Sequence, residues 1–229
     1  MHIPDGFINA PTCLAAGAFT AACVGRCLHG ARSELDERTA PLAGLTAAFV
    51  FAAQMINFPV AGGTSGHLLG GTLAAILVGP YTAVLCMAVV LTVQALLFAD
   101  GGLTALGVNI ALMGVVTVLV GHWTFRPAAR RFADRPRALA VAAFVSAALS
   151  VPVAALGFVA VYAVGGTADV PLGTVAAAMV GVHVLIGLGE GVITAFTVGG
   201  VLAVRPDLVH GVRRAMARRA AAAPEPSRV

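Results

Sequence analysis

Two histidines carry the sharpest chemistry in this sequence. His2 follows directly on Met1, and a histidine in second place beside a free amino terminus permits a chelate that no internal histidine can make. The Met1 amine, the deprotonated backbone nitrogen of His2 and its imidazole Nδ1 close fused five- and six-membered rings around one ion, filling three corners of a square. A fourth nitrogen is wanted. His67, after Gly62-Gly63-Thr64-Ser65-Gly66, stands on a loop whose missing side chains let another segment approach closely, and it could supply that corner. A square-planar nitrogen set suits Ni(II) or Cu(II), and Co(II) can be forced into it. The bland alternative for two such histidines is a loose terminus and a loop or helix-capping residue. Met-His-Ile-Pro-Asp-Gly carries an acid and no base ahead of the first apolar stretch, unlike a secretory signal. With so bulky a second residue, Met1 is expected to be retained.

Other polar residues are set in apolar surroundings. His183 and Glu190 are seven apart, which puts them on one helix face two turns from each other. They read either as a polar relay supporting a metal loop or as a neutral structural pair between helices. Gln94, Asn57 and Asn109 could orient His67 or the N-terminal segment, with interhelical packing as the alternative for each. Asp5 and Asp100 could attract a divalent cation or simply be solvated. Cys23, Cys27 and His29 superficially resemble a metal motif, but Arg26 interrupts them. Cys13, Cys23, Cys27 and Cys86 all lie in apolar runs and read as small apolar residues.

The elements that must position these groups are membrane helices. Of 229 residues, 59% are hydrophobic and 10% charged, against about a quarter charged in soluble domains. A spanning helix needs about 20 apolar residues, and the chain reads as an all-α, polytopic bundle of about seven transmembrane helices near 12–30, 41–58, 67–79, 81–99, 105–124, 138–164 and 172–204. The third is short, with Gly79-Pro80 dividing it from the fourth. All 14 basic residues are arginine, so no lysine exists to bind a nucleotide phosphate or form a Schiff base. The arginines follow the first, fifth and seventh segments, whereas 1–11, 59–66, 100–104 and 165–171 have none. By the positive-inside rule the N-terminus lies outside and the C-terminus inside. His2 and His67 then share the outer face, with His29, His122 and His210 toward the other. The same rule accounts for the basic charge without nucleic acid. Residues 1–204 form the expected transmembrane metal-capture domain, and 205–229 a basic cytoplasmic tail on anionic lipid, then disorder.

Met-His-Ile-Pro-Asp-Gly-Phe at 1–7, Asn57-Phe58-Pro59, Gly63-Thr64-Ser65-Gly66-His67-Leu68-Leu69-Gly70, Gln94 through Phe98 with Asp100-Gly101-Gly102, and His183 through Glu190 resemble the CbiM/NikM substrate-binding components of energy-coupling factor ABC transporters. The resemblance covers nearly the whole chain. Its one mild departure is Ala99 at the first position of the Asp100-Gly101-Gly102 turn. It implies a square-planar site for Co2+ or Ni2+, as transported substrate, built from the Met1 amine, two nitrogens of His2 and a ring nitrogen of His67. Asn57, Ser65, Gln94, Asn109, His183 and Glu190 would stand around it. It further implies a bacterial cell (plasma) membrane protein that captures the ion outside and is not an enzyme. The partners implied are a transmembrane coupling subunit, two cytoplasmic ATPase subunits and a small accessory membrane subunit, with cobalamin biosynthesis or a nickel enzyme downstream.

Two rival readings lead to different experiments. Gly63-Thr64-Ser65-Gly66 also matches the Gly-x-Ser-Gly of rhomboid intramembrane proteases, with His183 as base. Under that reading Ser65→Ala abolishes proteolysis. A self-sufficient ion-coupled transporter would use Glu190 and His183 as a proton path, and its uptake would collapse with the proton gradient.

Overall fold

The computed structural model describes residues 1–37, 39–56, 58–59 and 65–221, of which 58, 59, 65, 214 and 217–221 are described by backbone alone. Asn57 and the side chain of Ser65 therefore lie outside the described residues. The fold is nearly all helical: α1 (Ala10–Ala31), α2 (Thr39–Gln54), α3 (Gly71–Val78), α4 (Pro80–Leu97), α5 (Leu106–Asn109), α6 (Thr117–Arg131), α7 (Pro136–Gly165), α8 (Leu172–Val204) and α9 (His210–Ala221). A π-helical stretch, Ile110–Val116, joins α5 to α6 in one rod. The only strands among the described residues are β1 (Phe58–Pro59) and β2 (Ser65–Gly66), two residues each and antiparallel. Five rods are long and apolar enough to cross a bilayer: α1, α4, α5–α6, α7 and α8. Their outer surfaces present Leu14, Leu97, Val141, Leu185 and Phe196 to the surroundings, an exterior that only lipid satisfies. The chain is a multi-pass membrane protein.

The third expected span needs correction. α3 has eight residues, all buried, and at ~1.5 Å per residue it cannot cross a hydrocarbon core of ~30 Å. It is a half-helix at the centre of the bundle, in contact with α2, α4, α6, α7, α8 and α9. Gly79, at φ 97°, stops it, and Pro80 starts α4. The chain before it, His67–Gly70, is non-helical and mostly buried. Such backbone survives in a membrane protein only where protein groups satisfy it, and here they do. The Leu69 and Gly70 N–H groups donate to the Glu190 carboxylate at 2.7 and 3.0 Å, and Gln54 Nε2 donates to the Leu69 carbonyl at 2.6 Å.

Small residues set the closest helix crossing of α1. A Cβ on Gly107 would lie 2.5 Å from the Gly17 Cα, and Thr20 Oγ1 donates to the Gly107 carbonyl at 2.7 Å beside that crossing. Gly17 thus packs inside the chain, whereas Ala18, Ala21 and Ala22 on the same helix are exposed.

The helices alternate between two ends. One end gathers residues 1–9, 65–70, 98–105 and 166–171. The other gathers the segments rich in arginine, including α9, which with the preceding Val209 lays Val212 and Ala215 into the core beside α3 and α6. There Arg213 Nη2 donates to the Glu34 carbonyl at 3.4 Å, and Glu34 accepts from the Thr82 N–H at 2.8 Å, capping the first turn of α4. The basic tail is therefore packed against the bundle as far as α9, and residues 222–229 lie outside the described residues.

Candidate metal site

The N-terminal segment is inserted into the arginine-free end rather than lying on it. Met1 and Ile3 are fully buried and His2 is nearly so. Every second residue from Ile3 to Asn9 has an anchor. The Ile3 N–H donates to Asn109 Oδ1 at 2.9 Å, and Asn109 Nδ2 returns a bond to the Ile3 carbonyl at 3.2 Å. Asn109 ends α5 where the π-helical stretch begins, a distortion frequent at functional sites. The Gly102 N–H also donates to the Ile3 carbonyl, at 2.8 Å. Asp5 Oδ1 accepts from the Thr104 hydroxyl at 2.5 Å and from the Thr104 N–H at 2.7 Å, and these bonds, the hydroxyl's first, hold its carboxyl below the usual range. Phe7 packs on Phe158 and Tyr162, and the Asn9 N–H donates to the Gly165 carbonyl at 2.7 Å.

The turn 99–102 is shaped to receive this segment. Ala99 and Gly101 have φ of 51° and 96°, and a Cβ on Gly102 would sit 2.3 Å from the Asp5 nitrogen. Gly102→Ala is therefore expected to push the N-terminal segment outward and weaken Co(II) and Ni(II) binding by about tenfold or more, as loss of a supporting contact does. Isothermal titration of the purified variant checks this, and affinity equal to wild type would contradict it.

Within this setting three sets of nitrogen lone pairs converge. The rings of His2 and His67 stack with centroids 4.5 Å apart. His2 Nε2 lies 3.2 Å from Gln94 Oε1, an atom that only accepts, so Nε2 carries the proton and Nδ1 the lone pair. That Nδ1 has no hydrogen-bond partner and stands 3.2 Å from an Asp100 carboxylate oxygen. The contact is not an ion pair at neutral pH. Burial, reinforced by the amine's charge, holds the His2 imidazole at about 3, against the opposing bond from Gln94. Two electron-rich atoms facing each other is an arrangement a cation relieves. His67 Nδ1 donates to the Leu68 carbonyl at 2.7 Å, which leaves Nε2 as a buried lone pair without a partner. Burial, then the amine and His2, push His67 well below its ordinary value. Burial likewise lowers the Met1 amine to about 4 despite the attraction of Asp100. At neutral pH all three groups are uncharged donors.

Among the described residues, no three His, Cys, Asp or Glu side chains lie together as a metal site. Side chains of these four types alone thus do not make one among the described residues. The structure brings His2, His67, Gln94 and Asn109 to one end of the bundle. Met1, His67 and His183 also feel one another electrostatically. His183 is fully buried, donates Nδ1–H to the Met179 carbonyl at 2.7 Å, and has no partner at Nε2. No hydrogen bond joins it to Glu190, which instead grips the segment carrying His67. Sequence reasoning missed Gln54 and Thr104. Both act on backbone far away in the chain and give no local signal.

Comparison with known proteins agrees with this architecture. The model of the CbiM family, described as the cobalt uptake substrate-specific transmembrane region, matches residues 2–208. A putative metal transport protein of Haloquadratum walsbyi is 43% identical, over 91% of this chain and 93% of that one. A putative fused nickel transport protein of Archaeoglobus fulgidus is 41% identical over 92% of this chain and 68% of its own length. The cobalt transport protein CbiM of Sorangium cellulosum is 35% identical over 91% and 94%. A solved structure of a transition metal transporter superposes with a TM-score of 0.77 at 29% identity, covering 89% of this chain and 93% of that one. With the buried N-terminal segment and its converging nitrogens, these matches show that the chain belongs to the CbiM family of cobalt and nickel transport proteins.

Proposed function

We propose that this chain captures one Co(II) or Ni(II) ion outside the cell as the substrate-binding subunit of an energy-coupling factor transporter in the plasma membrane. The observation that carries the reading is the gathering of three buried nitrogens at the arginine-free end, two of them ring nitrogens without a hydrogen-bond partner. These are the Met1 amine, His2 Nδ1 and His67 Nε2. With the deprotonated His2 backbone nitrogen they make four donors, and binding would release that amide proton. Asn109, Gln94 and the 99–102 turn hold the N-terminal segment in place. Glu190 and Gln54 hold the segment that carries His67. The collection of arginines at the opposite end supports an N-terminus outside and a C-terminus inside.

In this reading a transmembrane coupling subunit and two ATPase subunits drive inward release. A small accessory membrane subunit completes the proposed assembly, in keeping with the Archaeoglobus relative, whose name describes a fusion and which extends beyond the part matched here. Glu190 is placed as a positioning residue rather than as the proton path of the self-sufficient alternative, because both of its carboxyl oxygens accept backbone N–H groups of the segment that carries His67. Uptake of radioactive cobalt into proteoliposomes is expected to require the ATPase partners and ATP and to persist with a protonophore. Uptake by this chain alone that collapses with the proton gradient would establish the alternative.

A further inference from the structure

At the arginine-rich end lies a crevice of about 640 Å³ between α1, α4, α6 and α9, in the range of ~300–1,000 Å³ typical of ligand pockets. It has no part in the metal site. Its walls are apolar, with Ile76, Val84 and Val115 buried and Leu119 more exposed. Its margin is basic and aromatic. The Arg26 guanidinium lies over the Tyr81 ring at 5.0 Å and that of Arg126 over the Trp123 ring at 5.2 Å, and Arg130 borders the same opening. No acidic side chain among the described residues lines it.

We propose that this crevice holds one anionic phospholipid, with an acyl chain between the apolar walls and the phosphate on Arg26 and Arg126. Three features select this occupant. The apolar lining and the volume of about 640 Å³ suit a flexible acyl chain. The charge at the margin is of one sign and complements a phosphate, and basic pockets between membrane helices are a recurring setting for anionic headgroups. Stacking on Tyr81 and Trp123 holds each guanidinium through its face, and although Arg26 Nη2 also donates to the Tyr81 hydroxyl at 3.4 Å, further N–H groups of both arginines remain to meet phosphate oxygens. Tyr81 stands in the first turn of α4 and Trp123 within α6, and tyrosine and tryptophan are the residues enriched at the headgroup level of a bilayer.

The test is native mass spectrometry of the full chain, purified in detergent and titrated with phosphatidylglycerol or phosphatidylcholine of identical tails. One phosphatidylglycerol per chain is expected to be retained. The double variant Arg26→Gln/Arg126→Gln should bind it roughly thirtyfold more weakly, the product of two charge contacts. Leu119→Trp, which fills the crevice from a partly exposed position, should lower retention of both lipids, with the melting temperature of each variant reported alongside. Equal retention of the two lipids, or retention unchanged in the double variant, would overturn the proposal. So would a chain ending at Ala221 that takes up lipid when the full chain does not, because the occupant would then be the protein's own tail.

Discussion

His67→Ala is expected to abolish measurable Co(II) and Ni(II) binding while leaving the bundle folded. The expected loss exceeds the ~10–100-fold that removal of an outer supporting residue costs, because His67 would supply one of the four donor nitrogens. His67 already pays for that role. Its Nε2 is buried without a partner, an arrangement that costs about 1–3 kcal/mol for a polar atom. Removing the ring therefore deletes an unsatisfied atom as well as the Nδ1–H bond to Leu68, and stability of the metal-free protein should change little. Titration calorimetry and a thermal melt in detergent separate the two effects. A folded variant that binds either metal with wild-type affinity would remove His67 from the site.

Glu190 should produce the opposite signature, with stability and binding falling together. Glu190→Leu would leave the Leu69 and Gly70 N–H groups buried without acceptors, at about 1–3 kcal/mol each, and would release the segment that carries His67. Glu190→Gln keeps one acceptor oxygen but turns an amide N–H toward the other donor, so it should retain part of both properties. The expected order is wild type, Gln, Leu for melting temperature and for metal affinity alike, with Gln about 10–100-fold weaker than wild type in affinity. A Leu variant with native melting temperature and native affinity would show that the carboxylate does not position this segment.

These two residues also mark how far the sequence could be read. The long spans were legible because composition and arginine placement suffice for them. The expected 138–164 and 172–204 are the observed Pro136–Gly165 and Leu172–Val204 to within two residues. α3 was overextended because Leu68 and Leu69 continue its apolar run, and apolarity does not report that the backbone there is non-helical and held by side chains. The histidines were legible by type and order. Their preparation was not, since the proton positions depend on Gln94 and on the Leu68 carbonyl. His183 and Glu190 share a helix face, which suggested a pair, yet their bonds go to Met179 and to Leu69 and Gly70. A contact between a side chain and backbone 121 positions away leaves no periodic trace. The docking of α9 was likewise hidden, because Val209, Val212 and Ala215 are too few to outweigh the surrounding arginines in composition.

The central claim is that the terminal amine is itself a ligand, and one added residue tests it. Co(II) and Ni(II) binding should be measured on purified protein with its native N-terminus and on the same protein carrying a single glycine ahead of Met1. The extension turns the amine into an amide and moves the free amino group away, while both histidines remain. Binding of both metals is expected to collapse in the extended protein, with loss of the absorption of a square-planar nitrogen complex. Undiminished affinity and an unchanged spectrum would contradict the account and shift the site toward His183 and its surroundings.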